Sequence, residues 1–75
     1  MHRAGTVVRL SQGLLVLRTE GTDHADIGAM VVDETLSTVG RVVDVFGPVE
    51  RPYLAVTPDD EVHPPTMLGE TLYLR

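Results

Sequence analysis

Residues 40 to 56 read GRVVDVFGPVERPYLAV, and this stretch carries most of what the chain says about its fold and function. A half-buried strand alternates apolar and polar side chains, because successive side chains point to opposite faces of the sheet. Here four apolar residues occupy both odd and even positions: Val42, Val43, Val45 and Phe46. One face can fill a core. The other face needs a second cover, which in so small a chain is expected to be another protein.

A turn at Gly47 and Pro48 ends this run. Glycine tolerates positive φ and proline fixes its own φ, so the pair is typical of turns. The turn is predicted to hold Phe46 and Val49 near the surface. Tyr53 opens the next strand and is predicted to point outward, where a tyrosine often anchors an interface. The alternative for Tyr53 is that the phenol covers the margin of the core.

Turn residues recur about every eight to twelve positions, a spacing typical of an all-β sandwich or barrel. Because closure of a sheet removes its exposed edges, we predict an all-β, small closed six-stranded barrel. Leu54 with Val56, and Leu72 with Leu74, are predicted to point inward, and Tyr73 to lie at the core margin. The predicted strands cover residues 5 to 10, 14 to 19, 29 to 33, 38 to 46, 53 to 57 and 71 to 75.

The length of 75 residues predicts one barrel domain over residues 1 to 75, close to the lower size limit for folding alone. The chain has no cysteine, which excludes disulfides and thiolate metal sites. It has neither a signal-peptide run nor the ~18 consecutive apolar residues of a membrane span. We therefore expect a soluble, cytoplasmic protein with no membrane contact.

The charge composition is acidic and lacks lysine: eleven carboxylates face six arginines, for a formal net charge of −5. Asparagine and tryptophan are also absent. This composition predicts a halophilic archaeon as the source, with a GC-rich bacterium as the alternative. It also counts against a protein that binds only a phosphate backbone, which would carry a basic patch.

Residues that could do chemistry are present without the spacing that catalysis or metal binding needs. Ser11 lies in a turn and Ser37 at a strand entry, and neither is in a nucleophile elbow. The acidic run 59 to 61 lacks the glycine and the oxygen spacing of a calcium loop. The histidines are far apart and are predicted to be solvated loop residues: His2, His24 and His63. The sequence thus predicts no catalytic residue, no metal and no cofactor, and an enzyme is the least supported hypothesis.

The aromatic residues give little support for direct RNA binding. RNA-binding β-modules usually show two or three aromatic side chains on one sheet face with interleaved cations. This chain has three aromatic residues, of which Phe46 and Tyr53 are expected to lie close together. Arg41 and Arg51 flank that pair in sequence. They could touch a phosphate, but ion pairs with Asp44, Glu50 or a partner's carboxylates are the more ordinary role.

The run VGRVVDVFGPVERPYLAV, residues 39 to 56, resembles the motif of the Gar family, the glycine-arginine-rich small subunit of H/ACA guide-RNA pseudouridylation particles. Upstream, IGAMVVD at residues 27 to 33 is similar to the family's preceding segment. Downstream, LGETLY at residues 68 to 73 is similar to its closing strand. The resemblance covers residues 5 to 74. The glycine-arginine-rich tails of eukaryotic members are missing here, which fits an archaeal member.

The resemblance implies a non-catalytic barrel related to those of translation factors. Such a protein docks on the catalytic domain of a dyskerin-type pseudouridine synthase and influences substrate RNA loading and release in rRNA pseudouridylation. It meets the guide RNA only indirectly, through the particle. Gly40 and Asp44 match the motif too, but a barrel bend and a turn-bonding carboxylate explain them equally well. The predicted partner-binding residues are Val45, Phe46, Gly47, Pro48, Val49, Pro52 and Tyr53.

Two further interpretations stay open at the level of the sequence. One is a translation- or ribosome-maturation-type barrel that binds RNA or a ribosomal protein directly. The other concerns the isolated subunit, which could self-associate through its uncovered patch.

Overall fold

A computed structural model describes residues 2–21 and 24–75, which form an antiparallel barrel. Neighbouring strands close in the order β1-β2-β5-β4-β3-β6. The predicted all-β class and closed six-stranded barrel are therefore confirmed. The strands are β1 (His2–Ser11), β2 (Leu14–Arg18), β3 (Met30–Val32), β4 (Thr38–Phe46), β5 (Tyr53–Pro58) and β6 (Thr71–Leu74), with a 3-10 helix at Pro64–Met67.

The strand boundaries differ from the predicted ones mainly in β1, which begins at His2 rather than at residue 5. The early residues join the sheet because β1 pairs with β6 from His2 opposite Leu74 onward. In the part of the chain that the structure describes, no helix is long and apolar enough to cross a membrane. The predicted domain also includes Met1, Thr22 and Asp23, which lie outside the described residues.

The barrel interior is filled by aliphatic side chains from all six strands. Leu54, Val56 and Leu72 are fully buried, as predicted, and Leu74 is half-buried against the same core. Tyr73 is half-buried, in agreement with a place at the core margin. In these strands every second side chain points into the barrel, as expected for a sheet with one buried face.

The mixed apolar run in β4 is explained by a β-bulge. Val42 pairs with Val56 and Asp44 with Ala55, so Val43 is an extra residue without a partner of its own. An inserted residue reverses the inward and outward alternation beyond it. Val42 and Val45 consequently both face the core, although they are three positions apart. The bulge accounts for the apolar residues at both odd and even positions of this run, and Val43 and Phe46 are 42% and 38% exposed on the outer face.

Two glycines allow neighbouring strands to approach closely. A Cβ atom at Gly40 would collide with the carbonyl oxygen of Thr57 in β5, and one at Gly5 would lie 2.6 Å from the carbonyl oxygen of Arg18 in β2. Such contacts require glycine, which marks tight bends and close backbone approach in barrels. The structure thus supports the bend role of Gly40.

The turn between β3 and β4 is organised by Asp33. One carboxylate oxygen accepts hydrogen bonds from the Thr35 hydroxyl (2.6 Å), the Thr35 backbone N–H (2.9 Å) and the Ser37 backbone N–H (3.0 Å). The Thr35 hydroxyl, followed by the backbone donors, holds the pKa of Asp33 below its ordinary value. Bonds of this kind favour the ionised carboxylate.

The lowered pKa of Asp33 predicts a pH-dependent contribution to stability. The contribution is fully present above the unfolded pKa of ~3.9 and is lost as the pH falls through the lower folded pKa. Wild type should therefore exceed Asp33→Asn in free energy of unfolding at neutral pH, and the gap should narrow below about pH 4. Urea denaturation of both proteins across this range measures the gap. A gap that does not change with pH would contradict the assignment.

Candidate protein-binding site

The outer face of the barrel carries a short ladder of side chains across three strands. Phe46 in β4 pairs with Tyr53 in β5, and Tyr53 pairs with Arg18 in β2. The Phe46 and Tyr53 rings stack with centroids 5.6 Å apart and planes inclined by 21°. The Arg18 guanidinium carbon lies 5.4 Å from the centroid of the Tyr53 ring, a cation–π distance. The ladder therefore joins two aromatic rings and one cation.

The loop between β4 and β5 is fastened to the end of β2. The buried Thr19 donates its hydroxyl to the Pro52 carbonyl (2.7 Å) and its backbone N–H to the same oxygen (3.2 Å). Arg51 Nε donates to the Thr19 carbonyl oxygen (2.9 Å) in return. Within the loop, the Arg51 backbone N–H donates to the Pro48 carbonyl oxygen (3.2 Å). These bonds hold the loop in one conformation against the barrel.

Gly47 sets the start of this loop. Its φ is +89°, and a Cβ atom there would lie 2.8 Å from Cδ2 of the Tyr53 ring. Both the backbone conformation and the space beside the ring therefore require glycine. The missing side chain allows the loop to turn closely around Tyr53.

A groove of about 260 Å³ lies between the loop and the strand that precedes it. Of the seven predicted site residues, six line this groove, and Tyr53 stands beside it against Phe46. Val49 is 83% exposed, whereas Pro52 is buried in the wall. The lining residues are His24, Val45, Phe46, Gly47, Pro48, Val49 and Pro52. The structure thus places the predicted residues together in one exposed, mainly apolar site.

Two residues of the site were not singled out by sequence reasoning. Arg18 stacks on Tyr53 only because β2 pairs with β5, and no local motif announces that pairing. His24 was expected to be a solvated loop residue. It is exposed but lines the groove, with its Nδ1 2.9 Å from the Ala25 carbonyl oxygen.

The two arginines predicted to flank the aromatic pair bind backbone carbonyls. Arg41 Nη1 donates to the Gly28 carbonyl oxygen (3.3 Å), and Arg51 bonds Thr19. The expected ion pairs with Asp44 and Glu50 are not formed. Within residues 2–21 and 24–75, the ion pair joins Arg3 and Glu20 (2.7 Å). The hydrogen bond to Glu20 raises the pKa of Arg3. Both side chains of this ion pair are exposed to solvent. Asp44 accepts from the Val45 backbone N–H (2.8 Å), which supports its local role.

Gly47→Ala is expected to destabilise the protein and to displace the Tyr53 ring. A side chain at this positive φ costs about 1–2 kcal/mol, and the added methyl group also meets the ring. Gly13→Ala is the matched control, because Gly13 has φ +78° but open space around its Cβ position. Urea denaturation should show a larger loss for Gly47→Ala, accompanied by changed tyrosine fluorescence. Equal losses in both variants would show that the ring contact is unimportant.

Comparison with known proteins identifies relatives over nearly the whole chain. Residues 1–75 match the model of a family described as the Gar1/Naf1 RNA binding region. The chain is 31% identical over 78 residues to an uncharacterized protein of Methanothermobacter thermautotrophicus, covering 99% of this chain and 83% of that protein. It is 38% identical over 47 residues to an uncharacterized protein of Methanocaldococcus jannaschii, covering 63% of this chain and 54% of that protein.

The family is described by RNA binding and not by a reaction, which fits an accessory role in an H/ACA particle. The family model matches the same chain whose residues 39 to 56 resemble the Gar motif and whose fold is a closed barrel. The source organism stays a prediction, although both relatives are archaeal proteins. The chain belongs to the Gar1/Naf1 RNA-binding-region family.

Proposed function

We propose that this protein is a non-catalytic accessory subunit of an H/ACA guide-RNA pseudouridine synthase particle. It docks on the catalytic domain of the dyskerin-type synthase and modulates loading and release of substrate RNA during rRNA pseudouridylation. The docking patch consists of Val45, Phe46, Gly47, Pro48, Val49, Pro52 and Tyr53. The observation that carries the proposal is the exposed apolar groove, whose aromatic and loop residues are already held in place.

The rigidity of the docking patch favours protein recognition. Partner binding loses free energy when side chains and loops must be ordered, so a surface that is already ordered binds more tightly. Here the Thr19 bonds hold the loop, and stacking holds both aromatic rings. Exposed apolar residues such as Val49 and Phe46 supply the area that a partner can cover. Aromatic anchors of this type dominate many protein interfaces.

The same geometry disfavours the docking patch as a platform for RNA bases. A base stacks on an open aromatic face. Tyr53 lies between Phe46 of β4 and Arg18 of β2 in the sheet, and both side chains are within stacking range of its ring, which leaves less of the ring open to a base. The net charge of −5 also opposes a long phosphate tract. Contact with guide RNA is therefore expected through the particle.

The second candidate function is direct RNA binding, which the family description favours. It predicts that the isolated protein binds structured RNA at low salt, with an affinity that falls steeply as salt rises. Filter binding with an H/ACA guide RNA measures this affinity. Tight binding of the guide RNA by the isolated protein would favour direct RNA recognition over protein docking as its function.

Co-purification with the dyskerin-type synthase of the same organism, in molar salt and without RNA, tests the docking step. A stoichiometric complex is expected, because apolar contacts persist when salt screens charges. No complex between two folded proteins would overturn the docking proposal.

Multiple-turnover and single-turnover pseudouridylation, each with and without the subunit, test the effect on substrate RNA. The subunit is expected to change the multiple-turnover rate, which includes RNA loading and release. If neither rate responds in a formed complex, the modulation step is wrong and the docking step stands.

A further inference from the structure

Arg18 stacks on the aromatic pair in the docking patch, with its guanidinium carbon 5.4 Å from the centroid of the Tyr53 ring. It is the last residue of β2 and pairs with Tyr53 in β5, which in turn pairs with Phe46 in β4. Neighbouring strands lie about 4.8 Å apart, so the backbones of Arg18 and Phe46 are separated by about 10 Å. A single partner element can therefore touch both residues.

The charge of Arg18 is not balanced by a carboxylate among residues 2–21 and 24–75, where the ion pair is Arg3 with Glu20. Its Nε atom is shielded from solvent and has no hydrogen-bond partner in that part of the chain. Buried polar atoms normally have a hydrogen-bond partner, so the unpartnered Nε of Arg18 is an exception in the described part of the chain. The guanidinium rests instead on the Tyr53 ring. Part of its hydration is already lost, so a further desolvation on partner binding costs less.

We infer that Arg18 is a further partner-contacting residue, and that it receives an aspartate or glutamate side chain of the partner protein at the edge of the docking patch. The inference rests on the proposed function. Covering the patch removes water around the guanidinium, and a carboxylate is attracted more strongly where water is excluded. A planar guanidinium offers several N–H donors to one carboxylate and can keep its stacking on the ring. The apolar groove supplies contact area, and Arg18 favours a partner whose surface has an acidic residue opposite the guanidinium.

The charges around the ladder favour a protein carboxylate over an RNA phosphate. A phosphate backbone is bound by several cations in a row. Here the neighbouring Arg51 already bonds Thr19 through Nε, and the exposed carboxylates of Asp44 and Glu50 lie within the same hairpin. These carboxylates repel a polyanion. Arg18 at the edge of an apolar groove is complementary to a single acidic side chain on an otherwise apolar surface.

Calorimetric titration of the dyskerin-type synthase with variants of this protein tests the inference. Arg18→Gln is expected to weaken binding by about 10-fold to 100-fold, the range for one charge-assisted hydrogen-bonded pair. Arg18→Lys should keep part of the affinity, because it retains the charge and loses the planar fork. Arg75→Gln, which removes an exposed arginine directly after β6, is the charge-matched control and should bind as wild type.

A salt series separates a charge contact from a purely structural role. Wild-type affinity should fall more than Arg18→Gln affinity between about 0.1 M and about 1 M salt, as the Debye length shrinks from ~10 Å to ~3 Å. Arg18→Glu should bind poorly. Substitution of one acidic surface residue of the synthase by arginine should restore binding and identify the carboxylate.

The outcomes distinguish this inference from the proposed function. If wild type binds, Phe46→Asp does not, and Arg18→Gln binds like Arg75→Gln, only the carboxylate inference is overturned. If wild type forms no complex with the synthase, both are overturned. If Arg18→Gln loses affinity for guide RNA and keeps affinity for the synthase, the cation serves a phosphate and the inference is again overturned. Thermal melts of every variant confirm that the barrel is folded.

Discussion

Phe46→Asp is expected to abolish association with the dyskerin-type synthase while leaving the barrel folded. Phe46 is 38% exposed, stacks on Tyr53 and lines the groove, so its ring is available to a partner. Truncation of a central aromatic anchor costs about 2 kcal/mol or more, which is at least about 30-fold in affinity. An aspartate adds an unpaired carboxylate to a desolvated interface, which costs more. Co-purification and calorimetry measure the loss.

Controls for Phe46→Asp address folding and specificity. Tyr53→Ala removes the other ring of the stacked pair and should also lose binding. Leu68→Asp places the same charge on a residue that is 50% exposed outside the docking patch, and it should bind as wild type. If the circular dichroism spectrum collapses with Phe46→Asp, the ring belongs to the core and the docking patch is wrongly assigned. If Leu68→Asp weakens binding equally, added negative charge alone explains the loss.

Gly40→Ala is expected to lower the free energy of unfolding of the barrel substantially. Its Cβ atom would collide with the Thr57 carbonyl oxygen, which belongs to the backbone of β5 and cannot rotate away. Overpacking of this kind typically costs 1–3 kcal/mol and occasionally more. Stability of about 0.05–0.15 kcal/mol per residue gives a domain of this length roughly 4–11 kcal/mol in total. A loss of about 3 kcal/mol would therefore be a large share of the whole.

The matched control is Gly21→Ala, because among residues 2–21 and 24–75 no atom lies within 4 Å of a Cβ atom placed at Gly21. Urea denaturation should place the midpoint of Gly40→Ala well below those of wild type and Gly21→Ala. An unchanged midpoint for Gly40→Ala would show that β4 and β5 can separate at little cost. Close packing of Gly40 against the Thr57 carbonyl oxygen would then contribute little to the stability of the barrel.

Local pattern was sufficient for the fold class and for the prediction that the docking-patch residues lie together in one hairpin. Spaced turn residues and inward pairs such as Leu54 with Val56 depend on neighbours within one strand, so the sequence carries them directly. The Gly47 turn likewise belongs to one short segment, and Phe46, Val49 and Tyr53 come together because a single hairpin contains them all. For these residues, nearness in the chain becomes nearness in space.

The β-bulge in β4 and the contacts between residues of different strands could not be predicted from local sequence pattern. Val43 points outward because β4 contains one extra residue at the bulge. From the apolar pattern alone, the same run is interpreted as a strand with two apolar faces. His24 lines the groove from a distant loop. Their positions depend on how separate segments meet in the closed barrel, and side-chain periodicity within one segment carries no information about that.

The all-β class and the apolar hairpin can thus be predicted from the amino-acid sequence, because alternation and turn chemistry are local properties. The stacking of Arg18 on Tyr53 and the hydrogen bond from Thr19 to Pro52 are visible only in the folded barrel. These contacts follow from the register between β2 and β5. Register is set by closing all six strands into one barrel with the apolar faces inward, which is a property of the whole chain and of no single segment.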